Sequence, residues 1–113
     1  MDKLSQYREI IKQILTSYAA LIEAQPTPGV DTELLFDENH DHYMLLSVGW
    51  LQRKRMRGTT VYLRLKDGKV WVEEDWLEEG IVKDLLAAGI PQQDIVLGFQ
   101  HPDMRPLTEF AVV

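Results

Sequence analysis

The chain has 113 residues, of which 45% are hydrophobic and 27% charged, enough to build one packed core and too apolar for a disordered chain. It has no cysteine, which excludes a disulfide scaffold, a thiol nucleophile and cysteine-ligated zinc or iron–sulfur sites. Twelve Lys and Arg against eighteen Asp and Glu give a formal charge of −6, which disfavours a general nucleic-acid coat and leaves only a local basic patch for phosphates. Its apolar runs fall far short of the ~20 residues a spanning helix needs. The opening MDKLSQYREI lacks the apolar stretch of a signal peptide. The expectation is a single domain over residues 1–113, without internal repeats, in the cytoplasm.

Residues Asp2 to Glu23 read as a long amphipathic helix. Leu4, Tyr7, Ile11, Ile14, Tyr18 and Leu21 recur at spacings of three and four, and Ile10, Leu15 and Ile22 widen the stripe. Such a helix lies across a sheet. Its width also makes Tyr7, Ile11 and Tyr18 candidates for contact with another subunit. AQPTPG, residues 24–29, ends the helix, because two prolines and a glycine cannot continue it.

Strand patterns follow. Val30, Thr32, Leu34 and Phe36 alternate with Asp31, Glu33 and Asp37, giving one apolar and one polar face. Asp37 to Asp41 is a polar turn. HYMLLSVGWL, residues 42–51, carries apolar residues on both faces, which suits a central strand. QRKRMRG, residues 52–58, reads as a basic loop. Thr59–Lys66 and Lys69–Asp75 form a hairpin about Asp67-Gly68, a pair suited to a type I′ turn. Its register sets Leu65 against Val70 and Leu63 against Val72 on the inner face. On the outer face it sets Arg64 against Trp71, Tyr62 against Glu73 and Thr60 against Asp75.

A second helix is expected from Asp75 to Ala88, with Asp75 and Glu78 as a capping box and Gly89 and Pro91 as its stop. Ile95–Phe99 is a last strand. Phe110, Val112 and Val113 are expected to dock the tail. The fold class is therefore α+β: a long N-terminal helix, a mainly antiparallel sheet of about five strands and a second helix before the last strand.

Four groups of residues can carry chemistry. His40 and His42, two apart beside Asp37 and Asp41, form a weak metal-site candidate against the reading of a plain polar turn. Arg53, Lys54, Arg55 and Arg57 can grip phosphates or an acidic protein surface, including the stretch Glu73–Glu79 of another copy, or form a solvated loop. Tyr62, Arg64 and Trp71 on the hairpin's outer face have the composition of an interface core, of a base-stacking platform, or of a cross-strand cation–π pair. His101 with Asp103 or Glu109 offers an acid–base pair. No serine nucleophile motif, P-loop or dinucleotide glycine pattern accompanies it, and the simpler reading is an extended segment fixed by Pro102 and Pro106, with Arg105 and Glu109 as ion-pair formers.

Four segments carry a family likeness: DKLSQYREIIKQIL, DHYMLLSVGW, DGKVWVEED running into EEGIVKDLLAAGIP, and DIVLGFQHPDMRPLTEFAVV. In this order, over nearly the whole chain, the sequence resembles the XisI-like family, the fdxN element excision controlling factor proteins of cyanobacteria. The resemblance implies a small cytoplasmic α+β protein. It further implies an accessory to a site-specific recombinase, often encoded beside a second small factor, XisH, with no catalytic residue or cofactor to carry over. The basic segment Gln52–Gly58 and the pair Trp76-Leu77 depart from the family pattern.

The leading expectation is a non-enzymatic controlling factor of DNA-element excision that works by protein contacts and self-associates. The alternatives are direct DNA binding through residues 53–57, or metal or small-molecule binding by His40, His42 and His101.

Overall fold

The computed structural model describes residues 2–113. The first helix, α1 (Lys3–Ala24), begins where the Asp2 carboxylate accepts a hydrogen bond from the Ser5 amide at 2.8 Å. Tyr7, Ile11, Leu15 and Ala19, each four apart, are its buried residues. They face the sheet, so the proposed subunit contact is corrected for two of its members. Tyr7 and Ile11 are 6% and 0% exposed because they form the intramolecular core, and only the margin of the stripe, including Tyr18, is partly open. Burial, with Asp94 accepting its hydroxyl proton, pushes the Tyr7 phenol up to about 12.

Five strands follow: β1 (Val30–Asp37), β2 (His42–Leu51), β3 (Lys54–Lys66), β4 (Lys69–Asp75) and β5 (Ile95–Leu97). They lie side by side in sequence order. The first four are antiparallel, and β5 runs parallel to β4 after a crossover through α2 (Val82–Ala87). Tyr43, Leu45, Val61, Leu63, Val70, Val72 and Ile95 meet α1, with Ile81, Leu85 and Ile90 closing the end of that core. Among the described residues no helix is long and apolar enough to cross a membrane.

Three local readings are corrected. The basic segment is not a loop. Leu51 pairs with Lys54, so the turn is only Gln52-Arg53, with Gln52 at φ 57°, and Lys54–Gly58 belong to β3. The second helix is one short stretch. The Asp75 carboxylate instead accepts from the Leu77 and Ile81 amides at 3.2 and 2.8 Å, holding residues 76–80 as a loop rather than a capped helical turn. In the β3–β4 hairpin the expected pairs Leu65–Val70, Arg64–Trp71 and Leu63–Val72 stand. A bulge then shifts the register, so Tyr62 faces Glu74 and Val61 faces Asp75.

The β1–β2 junction needs glycine at 49. Gly49 pairs with Val30 at φ 153°, and a Cβ there would lie 2.0 Å from the Gly29 carbonyl oxygen. Gly49→Ala is therefore expected to destabilise the protein by about 2 kcal/mol. Urea unfolding checks this, and an unchanged midpoint would refute the close-approach argument.

Candidate interaction face

α1 covers one face of the sheet. On the other, residues directly opposite in a ladder point the same way, so each strand contributes one column of side chains. From β2 come His42, Met44, Leu46, Val48 and Trp50, all at least partly exposed, with Trp50 54% open. From β1 come Asp31, Glu33, Leu35 and Asp37, set against Val48, Leu46, Met44 and His42. From β3 come Arg55, Arg57, Thr59, Tyr62 and Arg64, set against Trp50, Val48, Leu46, Met44 and His42. The result is an apolar column between an acidic and a basic one.

The end of the β2–β3 hairpin projects as a two-stranded arm. Arg53, Lys54, Arg55 and Arg57 are all exposed there. None has an ion-pair partner among the described residues. The Arg55 guanidinium lies 5.4 Å from the Trp50 ring centroid and donates to the Gly49 carbonyl at 3.3 Å. Residues 42–66 contain six Lys and Arg and no Asp or Glu, so the hairpin is a cationic element within an anionic protein.

The triad Tyr62, Arg64 and Trp71 is only partly open. Trp71 is 7% exposed, which corrects its assignment to an exposed face. The chain after β5 folds back over it. Val96 and Ala111 join it in a second small core, and the Arg105 guanidinium lies 5.2 Å from its ring centroid. Arg105, expected to form an ion pair, has none among the described residues. It donates instead to the carbonyls of Gln100 at 3.1 Å, Gly98 at 3.3 Å and Val112 at 3.5 Å. Of the residues expected to dock the tail, Phe110 packs against the main core; Ala111 is bridged to Val96, whereas Val112 and Val113 are 44% and 68% exposed. Arg64 remains partly open, its Nε 2.8 Å from Glu73 Oε2 in an ion pair without hydrogen-bond alignment. Tyr62 Oη and His42 Nδ1 share a hydrogen bond at 2.7 Å, and burial raises the Tyr62 phenol.

The histidines have separate partners. His40 Nδ1 is 2.9 Å from Asp37, within the turn that Asp37 also holds through the Asn39 and His40 amides. His101 Nδ1 accepts from the Asp103 amide at 3.1 Å, on an open surface. Among the described residues no three His, Asp or Glu come together in a way that could hold a metal ion.

The residues that sequence reasoning undervalued are the β2 column and Asp31 and Glu33. Their signal was present as the two-faced apolar pattern of residues 42–51 and the acidic alternation of residues 30–37. What the sequence withheld was that α1 covers only one face.

The XisI protein family matches residues 1–112. The chain belongs to the XisI family. The crystal structure of the fdxN element excision controlling factor XisI from Anabaena variabilis ATCC 29413 is similar at 44% identity and a TM-score of 0.86, covering 99% of this chain and 100% of that one. A XisI-like protein from the same organism is similar at 32% identity and a TM-score of 0.91, covering 97% and 99% of the two chains. No curated protein matches. The family match spans all five strands, so the open face belongs to a XisI-family sheet.

Proposed function

We propose that this XisI-family chain controls excision of a DNA element as a non-enzymatic accessory, through contacts with other protein chains. The observation that carries this reading is the open sheet face, an apolar column flanked by opposite charges. Apolar side chains rimmed by charge suit protein recognition. The name of the Anabaena relative, an excision controlling factor, supplies the process. A recombinase or an XisH-like factor is the partner expected beyond the chain itself.

The test is excision in cells that carry the element and lack this chain, scored by amplification across the rejoined junction. Wild-type protein is expected to restore excision, and Leu46→Glu, which places a carboxylate in the apolar column, is expected to fail while folding normally. Excision that proceeds without the chain would sink the reading. The arm's free cations favour one rival, direct DNA contact. An electrophoretic shift that weakens steeply with salt, and that Arg53/Lys54/Arg55/Arg57→Ala abolishes, would put that reading in place of ours.

A further inference from the structure

The three columns of the open face are arranged so that the face complements itself. Across the sheet, Asp31, Val48 and Arg57 form one row, and Glu33, Leu46 and Thr59 the next. Acid lies on the β1 side, base on the β3 side, and the apolar column runs between them. Place a second copy on this face by a two-fold axis parallel to β2. Its apolar column then meets the first apolar column, and its acidic column meets the basic one, on both sides at once. A two-fold axis across the strands would set acid on acid and base on base. We infer that this face forms a homodimer, two sheets packed face to face about an axis along β2, with Arg57 of each copy opposite Asp31 of the other and Glu33 and Arg55 one row to either side of that pair. The inference rests on the contact-mediated role proposed above and names its first partner.

The packing agrees with how sheets meet. Two sheets stack about 10 Å apart with their strands within ~30° of parallel, which this axis permits. Each copy keeps α1 on its far side, so the dimer has helices outside and two sheets within. Leu35, 57% exposed, and Trp50 at 54% would both become covered. The open columns extend roughly 27 Å along the strands and about 10 Å across between Cα atoms, from ordinary strand spacings. That footprint is near the lower limit of specific interfaces and implies a dimer that dissociates on dilution. DNA is the poorer occupant, because Asp31 and Glu33 share the face with the arginines and the apolar column offers phosphates nothing.

The test is analytical ultracentrifugation of purified wild-type protein from about 1 µM to 1 mM, with a parallel set of charge variants. The wild type is expected to move with concentration from a mass of 13.1 kDa to twice that value. Asp31→Arg/Glu33→Arg makes both flanks basic, and Arg55→Glu/Arg57→Glu makes both acidic. Each alone is expected to self-associate about 100-fold more weakly or worse, because like charges then face each other. Mixed in equal amounts, they are expected to form a heterodimer at near wild-type strength, which a merely misfolded variant cannot do. A wild type that stays monomeric throughout overturns the inference, as does a dimer whose strength neither variant changes or a mixture that fails to associate. A dimer in a chain found dispensable for excision would leave this inference standing and remove only the functional reading.

Discussion

Arg105→Ala is expected to cost about 3 kcal/mol of stability and to lift the C-terminal segment from the sheet. Arg105 is 9% exposed, and its guanidinium lies over Trp71 and donates to three carbonyls along the folded-back chain. A desolvated cation–π contact contributes up to about 2 kcal/mol, and each hydrogen bond from a charged donor about 1.5–3 in favourable settings. The carbonyls sit near the surface and water can replace some donors, which keeps the sum near the lower end. The loss should be local, because α1 and the inner core make no use of Arg105. Emission from tryptophan reads this directly. Trp50 and Trp76 are already 54% and 76% exposed, so a red shift in the native state reports Trp71. Arg105→Lys keeps a cation above the ring and loses the fan of bonds, so it should fall between the two. A variant with native emission and an unchanged unfolding midpoint would show that Val96 and Ala111 hold the tail unaided.

The fold was legible where the residue pattern is its own cause. The spacing of Tyr7, Ile11 and Leu15 places one helix face on a core, and Asp67-Gly68 sets a hairpin whose first four pairs follow from a two-residue turn. Legibility fails where a distant group decides. Gln52-Arg53 turns the chain without glycine or asparagine, because the ladder on either side, from Trp50 to Arg55, forces the closure. Asp75 signals a helix cap in sequence, yet its carboxylate reaches six residues on to the Ile81 amide. Trp71 alternates like an exposed residue, yet the tail held by Arg105, with Lys66 and Arg64 beside its ring, covers it. For the candidate face, the residue types were visible and their neighbourhood was not. Asp31 and Arg57 are 26 positions apart in sequence, and only the antiparallel register sets them on either side of Val48.

Asp41→Ala is expected to be the more damaging of two changes at that position, at about 4 kcal/mol near neutral pH, against about 1–2 for Asp41→Asn. Asp41 joins three elements. Its carboxylate accepts from Arg8 Nε at 2.8 Å and Arg8 Nη2 at 3.1 Å on α1, and from the Tyr43 hydroxyl at 2.8 Å on β2. Its own carbonyl accepts from the Leu65 amide at 3.1 Å on β3, and its backbone sits at φ 59°. Alanine would leave the hydroxyl of fully buried Tyr43 without an acceptor and would fit the left-handed backbone poorly. Asparagine tolerates that conformation and still accepts from Tyr43, so it isolates the charge. The Arg8 guanidinium, bound in two-pronged fashion, holds the Asp41 carboxyl below its ordinary value of 3.8. A depressed carboxylate stabilises the fold above its unfolded value and loses that contribution as pH falls below it through the folded value. Wild-type stability should therefore drop on acidification below about pH 4, and Asp41→Asn should show a shallower drop and approach the wild type in strong acid. Asp37 and Asp94 are held low as well, so some acid dependence will remain in the variant. Urea unfolding of the three proteins across pH measures both effects. Parallel profiles for wild type and Asp41→Asn would show that the ion pair adds nothing, and equal losses for the two variants would show that the Tyr43 bond and the backbone conformation do not matter.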